Sequence, residues 1–390
     1  MTLPKNLNFI IERLGEKGFS AYAVGGAVRD MLLGRAVGDY DVTTSARPEE
    51  IIECFPDCKI IETGIKHGTV TVIVGCEPYE ITTYRIDGEY TDNRHPESVT
   101  FTDKLSFDLS RRDFTVNAMC YSESEGIVDL FGGKEDLKCG IIRAVGEAGK
   151  RFEEDALRIL RAIRFASVLD FEVEEKTKLA SLEKRELLCG ISKERIYSEL
   201  KKLMAGVGAY RVINEFREII TEVLPRLRVI SLPPKERFDT ADWDSRFFSL
   251  FAYLDNPREA YLQSVELLKT DKNIKEKGAL ALENYKNEYG TEREIRHLLM
   301  KVGEEGARAT LALRYTLGLS EDDGEGAISD IISRGLPYKI SHLAIGGKEV
   351  MGAGIFGERI GLTLEALLRD VIDGKIENER EALINYLKDK

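Results

Sequence analysis

The apolar residues of this chain change their spacing near residue 150, and that change limits the fold more than any other feature. Before it, short runs rich in β-branched and aromatic residues alternate with glycine turns, as is typical of strands. After it, apolar residues recur at i, i+3, i+4 and i+7, the spacing of helices that pack on a core. The sequence therefore predicts an α+β protein, with a small mixed β-sheet and helices in an N-terminal domain and only helices behind it.

Several segments carry this prediction. The expected strands are Ala21–Val24, Thr69–Val74, 79–84 and 127–130, and the clearest helical segments begin at residues 153, 191, 258 and 362. Breaks in the helical pattern fall near 206–208, 233–234 and 287–290. We expect four domains, at 1–145, 146–205, 206–290 and 291–390.

Composition narrows the function classes. Six cysteines without a CxxC pair and only four histidines indicate neither a disulfide framework nor a zinc module. The first residues lack a signal-peptide pattern and no window is apolar enough for a membrane span, so we expect a cytoplasmic protein without a membrane partner. The formal net charge of −12 opposes unspecific binding of nucleic acid, and RNA contact would need a local basic stripe.

Two adjacent glycines, Gly25 and Gly26, stand between the first predicted strand and a predicted helix at 27–33. Glycine lets the backbone approach an anion closely, and the free N–H groups at the start of a helix favour a phosphate. Arg29 adds a guanidinium in the first turn of that helix. This arrangement predicts a site for a nucleoside triphosphate.

Asp39 and Asp41 follow on a second predicted strand. Because side chains alternate across a strand, residues i and i+2 point to one face, with Cα atoms roughly 6.5 to 7 Å apart. Two carboxylates so placed suit the two Mg²⁺ ions, about 3.5 to 4 Å apart, that in-line nucleotidyl transfer uses. Glu80 is the candidate for a third carboxylate on a neighbouring strand, with a solvent-facing strand residue as the alternative. An isolated D-x-D is more often a surface turn, so the glycine pair supports this interpretation.

Four segments together resemble the class II tRNA nucleotidyltransferases, the CCA-adding enzymes, within the DNA polymerase beta-like superfamily. They are GGAVRD at 25–30, GDYDVTT at 38–44, RRDFTVNAM at 111–119 and EEDALRILRAIRF at 153–165. The resemblance continues less closely through ISKERIYSEL and HLAIGGKEVM towards the C-terminal end. It implies a catalytic head, a helical neck that recognises the base, a helical body and a helical tail that binds tRNA, in the order of the four predicted domains.

The resemblance also implies roles for individual residues. Asp39 and Asp41 match the metal ligands of the family. The positions that match or adjoin nucleotide contacts of the family are Gly25, Gly26, Arg29, Arg112, Asp155, Arg158, Arg161 and Arg164. Within RRDFTVNAM, Asp113 is expected either to orient Arg112 or to buttress the site, and Asn117 to satisfy buried backbone groups.

The segment EEDALRILRAIRF predicts how a base is chosen. Apolar residues at 156, 159, 160 and 163 predict one helix docked by that stripe, with Asp155 and Arg158 side by side on another face. An acceptor beside a fork of donors can pair with the edge of cytosine or adenine. Guanine or uracil would leave a buried charged group unpaired, at a cost of about 1 to 3 kcal/mol. The alternative is a solvated helix face with ion pairs.

Three glycine-containing segments leave alternatives open. The segment 84–101, poor in apolar residues, is identified by the resemblance with a loop that supports the switch from C to A addition. Its full length favours complete CCA addition over CC addition and leaves addition of A alone open. DLFGGKEDL at 129–137 resembles a hinge, with a hairpin turn as the alternative. The GxGxxG at 352–357 does not follow a strand, so we expect a turn and not a dinucleotide site.

These features predict template-independent addition of CCA to the 3′ end of tRNA from CTP and ATP, with Mg²⁺ as cofactor and release of pyrophosphate. Neither DNA nor an obligatory protein partner is expected. The alternatives are a bacterial poly(A) polymerase, addition of CC or A alone, transfer of a nucleotide to a small molecule, and an RNA-binding protein with an inactive transferase head. The large helical C-terminal half favours a macromolecular acceptor.

Overall fold

A computed structural model describes residues 1–88, 98–227 and 229–388, and the chain falls into two compact units, Met1–Val223 and Leu224–Lys390. The first unit contains a mixed sheet and helices, and the second is built from helices. The predicted fold class is therefore confirmed. The four predicted domains are a finer division, and their boundaries stay predictions.

The sheet of the first unit brings together strands that are far apart in sequence. Its described strands lie in the order β3-β4-β5-β2-β1-β8-β9, with β2 and β5 parallel and the other neighbours antiparallel. Two further pairs, β6–β7 and β10–β11, stand apart from it. The bounds are β1 (Ala21–Val24), β2 (Asp41–Thr44), β3 (Lys59–Ile61), β4 (Thr69–Val74), β5 (Glu77–Thr83), β6 (Arg85–Asp87), β7 (Val99–Phe101), β8 (Met119–Ser122), β9 (Gly126–Asp129), β10 (Ile141–Ile142) and β11 (Glu172–Val173).

Helices cover the sheet and complete the first unit. Helix α1 illustrates how: Leu7, Ile10, Ile11 and Leu14 form its buried stripe, at helical spacing. The bounds are α1 (Lys5–Glu16), α2 (Gly26–Leu32), α3 (Pro48–Cys54), α4 (Leu105–Ser110), α5 (Gly133–Cys139), α6 (Ala148–Glu154), α7 (Leu157–Leu169), α8 (Glu175–Glu183), α9 (Lys193–Met204), α10 (Ala209–Glu215) and α11 (Arg217–Val223).

The predicted strands are confirmed in position, with one correction that bears on the site. The second strand was expected to carry both Asp39 and Asp41, but β2 begins at Asp41, which is the register partner of Val24 on β1. Asp39 therefore lies in the connection before the strand. The hairpin alternative for Gly132 and Gly133 is wrong, because Gly132 caps α5 in the left-handed conformation, with φ 77°.

Among the described residues, two apolar clusters lie in the C-terminal part of the second unit. One surrounds α16 and α17 and includes Leu298 and Ile328, and the other surrounds α19 and includes Leu368. Helix α16 is interrupted at Gly303, where φ is 71°. The bounds are α12 (Lys235–Thr240), α13 (Trp243–Ser249), α14 (Pro257–Leu267), α15 (Lys272–Asn284), α16 (Glu292–Thr316), α17 (Glu325–Ser333), α18 (Gly347–Gly352), α19 (Arg359–Ile372) and α20 (Arg380–Lys388).

Two further observations concern motifs and membranes. Gly352 ends α18, so the GxGxxG pattern follows a helix and lacks the strand that a dinucleotide site needs. Over residues 1–88, 98–227 and 229–388, no helix combines the length and the apolar character needed to cross a bilayer.

Candidate active site

The glycine turn lies between β1 and α2, as the sequence predicts. Gly25 has φ 77° and ψ −132°, a backbone conformation that residues other than glycine rarely adopt. A Cβ atom on Gly25 would also lie 3.1 Å from Nη1 of Arg112. The turn therefore needs a glycine both for its backbone and for the close approach of Arg112.

Three carboxylates line one cavity beside the N-terminal end of β2. Asp41 on β2 is the register partner of Glu80 on the parallel strand β5, so their side chains stand next to each other on one face. Asp39, two residues upstream, lines the same cavity of about 590 Å³, and all three residues are exposed. The structure thus places Glu80 beside the predicted metal ligands.

The carboxylate oxygens of this cavity are the kind of ligand that Mg²⁺ prefers. Mg²⁺ is usually held by one or two protein carboxylates, with water and substrate phosphates completing its shell. Among the described residues no group of three or more His, Cys, Asp or Glu side chains converges closely enough to hold a metal ion by itself. Asp39 and Asp41 therefore offer an open oxygen site that a triphosphate could complete, and not a closed protein cage.

Arg112 links the glycine turn to the carboxylates. Asp41 is an exposed residue, yet surrounding atoms still desolvate its carboxyl, and this burial raises its pKa. The charge of Arg112 lowers that pKa, and the charge of Asp39 raises it. Arg112 in turn stands 3.4 Å from Asp108. The guanidinium of Arg112 is therefore surrounded by the carboxylates of Asp39, Asp41 and Asp108.

Asp108 is a site residue that the sequence reasoning missed. It is fully buried on α4 and accepts hydrogen bonds from Thr43, at 3.0 Å, and Arg111, at 2.6 Å. Burial raises its pKa, but the charges of Arg111 and Arg112 outweigh burial and the pKa is lowered. Its i+3 and i+4 spacing to two arginines was the signal that could have identified it.

Arg29 lies beside the glycine turn but is 8% exposed. Its Nε and Nη2 donate to the carboxylate of Asp30, each at 2.9 Å, and Nη1 donates to Oδ1 of Asn117 at 2.6 Å. Protein groups thus hold Arg29 on two sides. Its predicted contact with a nucleotide phosphate stays a prediction.

Of the two roles expected for Asp113 in RRDFTVNAM, the structure leaves that of a buttress, and the role expected for Asn117 is wrong. Asp113 binds Arg161 and not Arg112, through Oδ2 at 2.9 Å from Nε and 2.6 Å from Nη2. Asn117 bonds through its amide to the side chains of Arg29 and Asp113 and not to buried backbone groups. The segment therefore ties the glycine turn to α7.

The predicted single helix through EEDALRILRAIRF is wrong, because two residues, Asp155 and Ala156, separate two helices there. Helix α6 ends at Glu154 and α7 begins at Leu157, and between them Asp155 is extended, with φ −138° and ψ 101°. Its Oδ1 accepts the N–H of Leu157 at 3.1 Å, which ends one helix and caps the next. The carboxylate of Asp155 pairs with Arg195 at 3.3 Å, whereas Arg158 pairs with Glu154 at 2.7 Å, so each side chain has its own partner.

The guanidinium of Arg158 is held by neighbouring protein groups. It is 9% exposed, and Nη1 bonds Glu154 at 2.7 Å and the carbonyl of Arg151 at 3.2 Å. Nη2 bonds the carbonyl of Arg111 at 3.0 Å. The solvated-face alternative therefore does not describe this residue.

Arg164 belongs to a buried cluster that the sequence reasoning did not foresee. It stands 2.7 Å from Glu199 of α9 and 3.7 Å above the ring of Phe165. Burial lowers the pKa of Arg164 to about 10. No local spacing signals this pair, because Arg164 lies on α7 and Glu199 on α9.

The pKa of Asp113 gives a pH prediction for stability. Burial alone would raise it, but Arg161 and Asn117 lower it from 3.8 to about 2. A carboxyl whose pKa is lower in the folded state than in the unfolded state stabilises the protein at pH values above its unfolded pKa. This stabilisation is lost as the pH falls through the folded pKa. We expect Asp113→Asn to lose about 2 kcal/mol of unfolding free energy near pH 6, and about half as much near pH 3. Denaturant titrations across this range measure the difference, and a constant difference would argue against the assignment.

Two segments of the chain match known protein families. Residues 21–143 match the family described as Poly A polymerase head domain, and residues 170–227 match the family described as Probable RNA and SrmB- binding site of polymerase A. A CCA-adding enzyme of Lactobacillus helveticus is 38% identical over 396 residues, which cover 97% of this chain and 96% of that protein. One of Geobacillus stearothermophilus is 37% identical, covering 98% and 96%.

A solved structure agrees. The crystal structure of the Bacillus stearothermophilus CCA-adding enzyme in complex with CTP aligns with a TM-score of 0.81 and 32% identity, covering 100% of this chain and 98% of that chain. The mixed sheet and the head-domain family over residues 21–143 together define a nucleotidyltransferase head, which is followed by helical domains. More narrowly, because the identity of 38% extends over nearly the whole chain, the chain belongs to the family of CCA-adding enzymes. The resemblance drawn from the sequence motifs is confirmed.

Proposed function

We propose that this chain adds C, C and A in turn to the 3′ end of tRNA, using CTP and ATP without a nucleic-acid template. In each step the 3′-hydroxyl of the RNA attacks the α-phosphate of the nucleotide and pyrophosphate leaves. One observation carries the proposal: Asp41 and Glu80 are register partners at the N-terminal end of β2, next to the glycine turn that Arg112 approaches. Membership in the CCA-adding family supports the choice of substrates.

Asp39 and Asp41 are the groups that would hold two Mg²⁺ ions together with the triphosphate. Bound Mg²⁺ would activate the attacking hydroxyl and offset charge on the leaving pyrophosphate. Glu80 stands close enough in register to act as a third carboxylate. Next to the glycine turn, the guanidinium of Arg112 lies against Gly25 and that of Arg29 against Gly26, and these positive charges would attract the phosphates.

The base would be read at the start of α7. Asp155 offers carboxylate acceptors, and Arg158, Arg161 and Arg164 offer donors, although each arginine also has a protein partner. Arg161 keeps a third of its side chain exposed and is the most accessible of the three. Hydrogen-bonding groups held by their own neighbours are positioned before the nucleotide arrives, which favours selection.

Replacing Asp155 with asparagine is expected to weaken base selection. The amide keeps an oxygen to cap α7 but presents donors where the carboxylate presents acceptors. We expect the preference for CTP and ATP over UTP and GTP to fall roughly ten- to hundredfold, measured as ratios of kcat/KM. Glu153→Gln is the matched control, since this exposed neighbour pairs with Lys184 and changes charge equally. An unchanged preference in Asp155→Asn would count against this reading.

The helical regions behind the head would bind the tRNA. We assign 146–205 to the neck, 206–290 to the body and 291–390 to the tail, with contacts mainly to phosphate and sugar, because A-form RNA presents shape more than sequence. Such binding should weaken as salt rises. The proposed substrates, tRNA and nucleoside triphosphates, are those of the cytoplasm.

Residues 84–101 bear on which nucleotides are added. The two ends of this segment form the hairpin of β6 and β7, and residues 89–97 lie outside the described part of the chain. The full-length segment supports complete CCA addition over CC addition. Addition of A alone is left to experiment.

The test uses purified protein, Mg²⁺ and tRNA transcripts that end before CCA, after C or after CC. CTP and ATP are supplied separately and together. Growth by CCA followed by arrest is the expected result. Extension of the CC-ended transcript alone would indicate an A-adding enzyme, and long A tails would indicate the poly(A) polymerase activity for which the matched head family is named. No extension would refute the proposal.

A further inference from the structure

Four polar side chains form a continuous chain from α2 to α7. Nη1 of Arg29 donates to Oδ1 of Asn117 at 2.6 Å, and Nδ2 of Asn117 donates to Oδ1 of Asp113 at 3.1 Å. Oδ2 of Asp113 accepts from Nε and Nη2 of Arg161. Arg29 and Asn117 are 8% and 6% exposed, so water screens these contacts little.

We propose that Asn117 is a positioning residue that fixes Arg161, and with it base selection, relative to the glycine turn. The inference rests on the proposed function, because it treats Arg161 as a residue that meets the nucleotide. Asn117 itself would touch neither base nor phosphate. It acts through Asp113 on one side and Arg29 on the other.

The chemistry of the two neighbours calls for an amide at position 117. Arg29 presents only donors and Asp113 only acceptors, so the side chain between them must accept at one end and donate at the other. An asparagine does this, and its two partners fix which end is oxygen. A carboxylate at the same position would keep the bond to Arg29 but would face Asp113 with like charge in a buried place.

Movement of Asp113 would be transmitted to Arg161. Both of its bonds to Arg161 use one oxygen, and the other oxygen is held by Asn117 and by the N–H of Phe114, at 2.8 Å. The guanidinium carbons of Arg29 and Arg161 also lie 5.1 and 5.3 Å from the centroid of the same ring, Phe165. A shift at position 117 therefore acts on Arg161 through a carboxylate and through a shared aromatic ring.

The experiment compares Asn117→Asp with the exchange variant Asp113→Asn/Asn117→Asp. In the exchange, the amide at 113 can donate to the carboxylate at 117 and accept from Arg161 at unchanged total charge, but the N–H of Phe114 loses its acceptor, so recovery is partial. Thr115→Val is the matched control, because it removes a buried 2.7 Å hydrogen bond to Asp136 from the same short helix. All variants are used as full chains, with melting temperatures recorded.

The readout is the ratio of CTP to UTP affinity, with single-nucleotide addition to tRNA measured in parallel. We expect Asn117→Asp to lower the ratio about tenfold or more, the exchange variant to recover part of it, and Thr115→Val to leave it unchanged. A wild-type ratio in Asn117→Asp, or an equal loss in Thr115→Val, would overturn the inference. Failure of wild-type protein to extend tRNA would instead overturn the proposed function, and the binding ratios would still decide the role of Asn117.

Discussion

Replacing Asp41 with asparagine is expected to reduce nucleotide addition about a thousandfold or more while leaving the fold intact. The amide matches the carboxylate in size, and Asp41 is exposed at the start of its strand, so little packing changes. It removes a full negative charge from the place where Mg²⁺ would bind. A metal ion contributes several kcal/mol to such a transition state, and about 4 kcal/mol corresponds to a thousandfold change in rate.

The control for this prediction lies in the same cavity. Glu77 lines it together with Asp41, and Glu77→Gln removes the same charge from the end of β5. If Asp41 acts as a metal ligand, Glu77→Gln should keep most of the activity, and the Mg²⁺ dependence should change only in Asp41→Asn. Retention of more than about a tenth of the wild-type rate in Asp41→Asn would contradict the assignment.

Glu80→Gln separates the two interpretations of that residue. A third carboxylate should cost at least about tenfold in rate when neutralised, whereas a solvent-facing strand residue should cost almost nothing. Its register with Asp41 favours the first result.

Local sequence predicts the parts of this site that depend on neighbouring residues. The strand at Ala21–Val24, the glycine turn and the start of α2 follow from residues adjacent in the chain, and each was predicted within a residue or two. The pairing of β2 with β5 is different. The local pattern does not indicate which of several strands lies beside Asp41. Glu80 was therefore a candidate only because it is a carboxylate on a strand, and the pairing of β2 with β5 places it beside Asp41.

Side-chain partners explain most of what the sequence could not predict. Periodicity predicts one helix through residues 153–165 because Asp155 interrupts no apolar stripe, yet its carboxylate bonds the N–H of Leu157 and divides the helix. Asn117 bonds Arg29 on α2, and Asp113 bonds Arg161 on α7. Only the tertiary fold brings these helices close to the segment. The local pattern predicts which face of a helix or strand is buried, whereas long-range packing decides which charged side chains meet.

Replacing Gly278 with alanine is expected to destabilise the second unit by about 3 kcal/mol, although alanine is the better helix former. Gly278 lies within α15, and a Cβ atom there would lie 2.6 Å from Cε1 of Tyr261 and still closer to its Cζ and Oη. Tyr261 is fully buried, and its hydroxyl donates to the carbonyl of Ile274. The ring has no room to turn aside.

Three phenylalanines hold that ring in place. They pack edge-on against it with centroid distances of 6.1, 5.5 and 5.4 Å, from Phe247, Phe248 and Phe251. Accommodating a methyl group therefore means shifting a helix or a whole aromatic cluster, and dense cores resist both. Gly361→Ala is the matched control: Gly361 lies in α19 with open space around it, so that variant should be unchanged or up to about 1 kcal/mol more stable. Denaturant unfolding monitored by circular dichroism distinguishes the two, and equal midpoints for both variants would show that α15 and α14 can separate without cost.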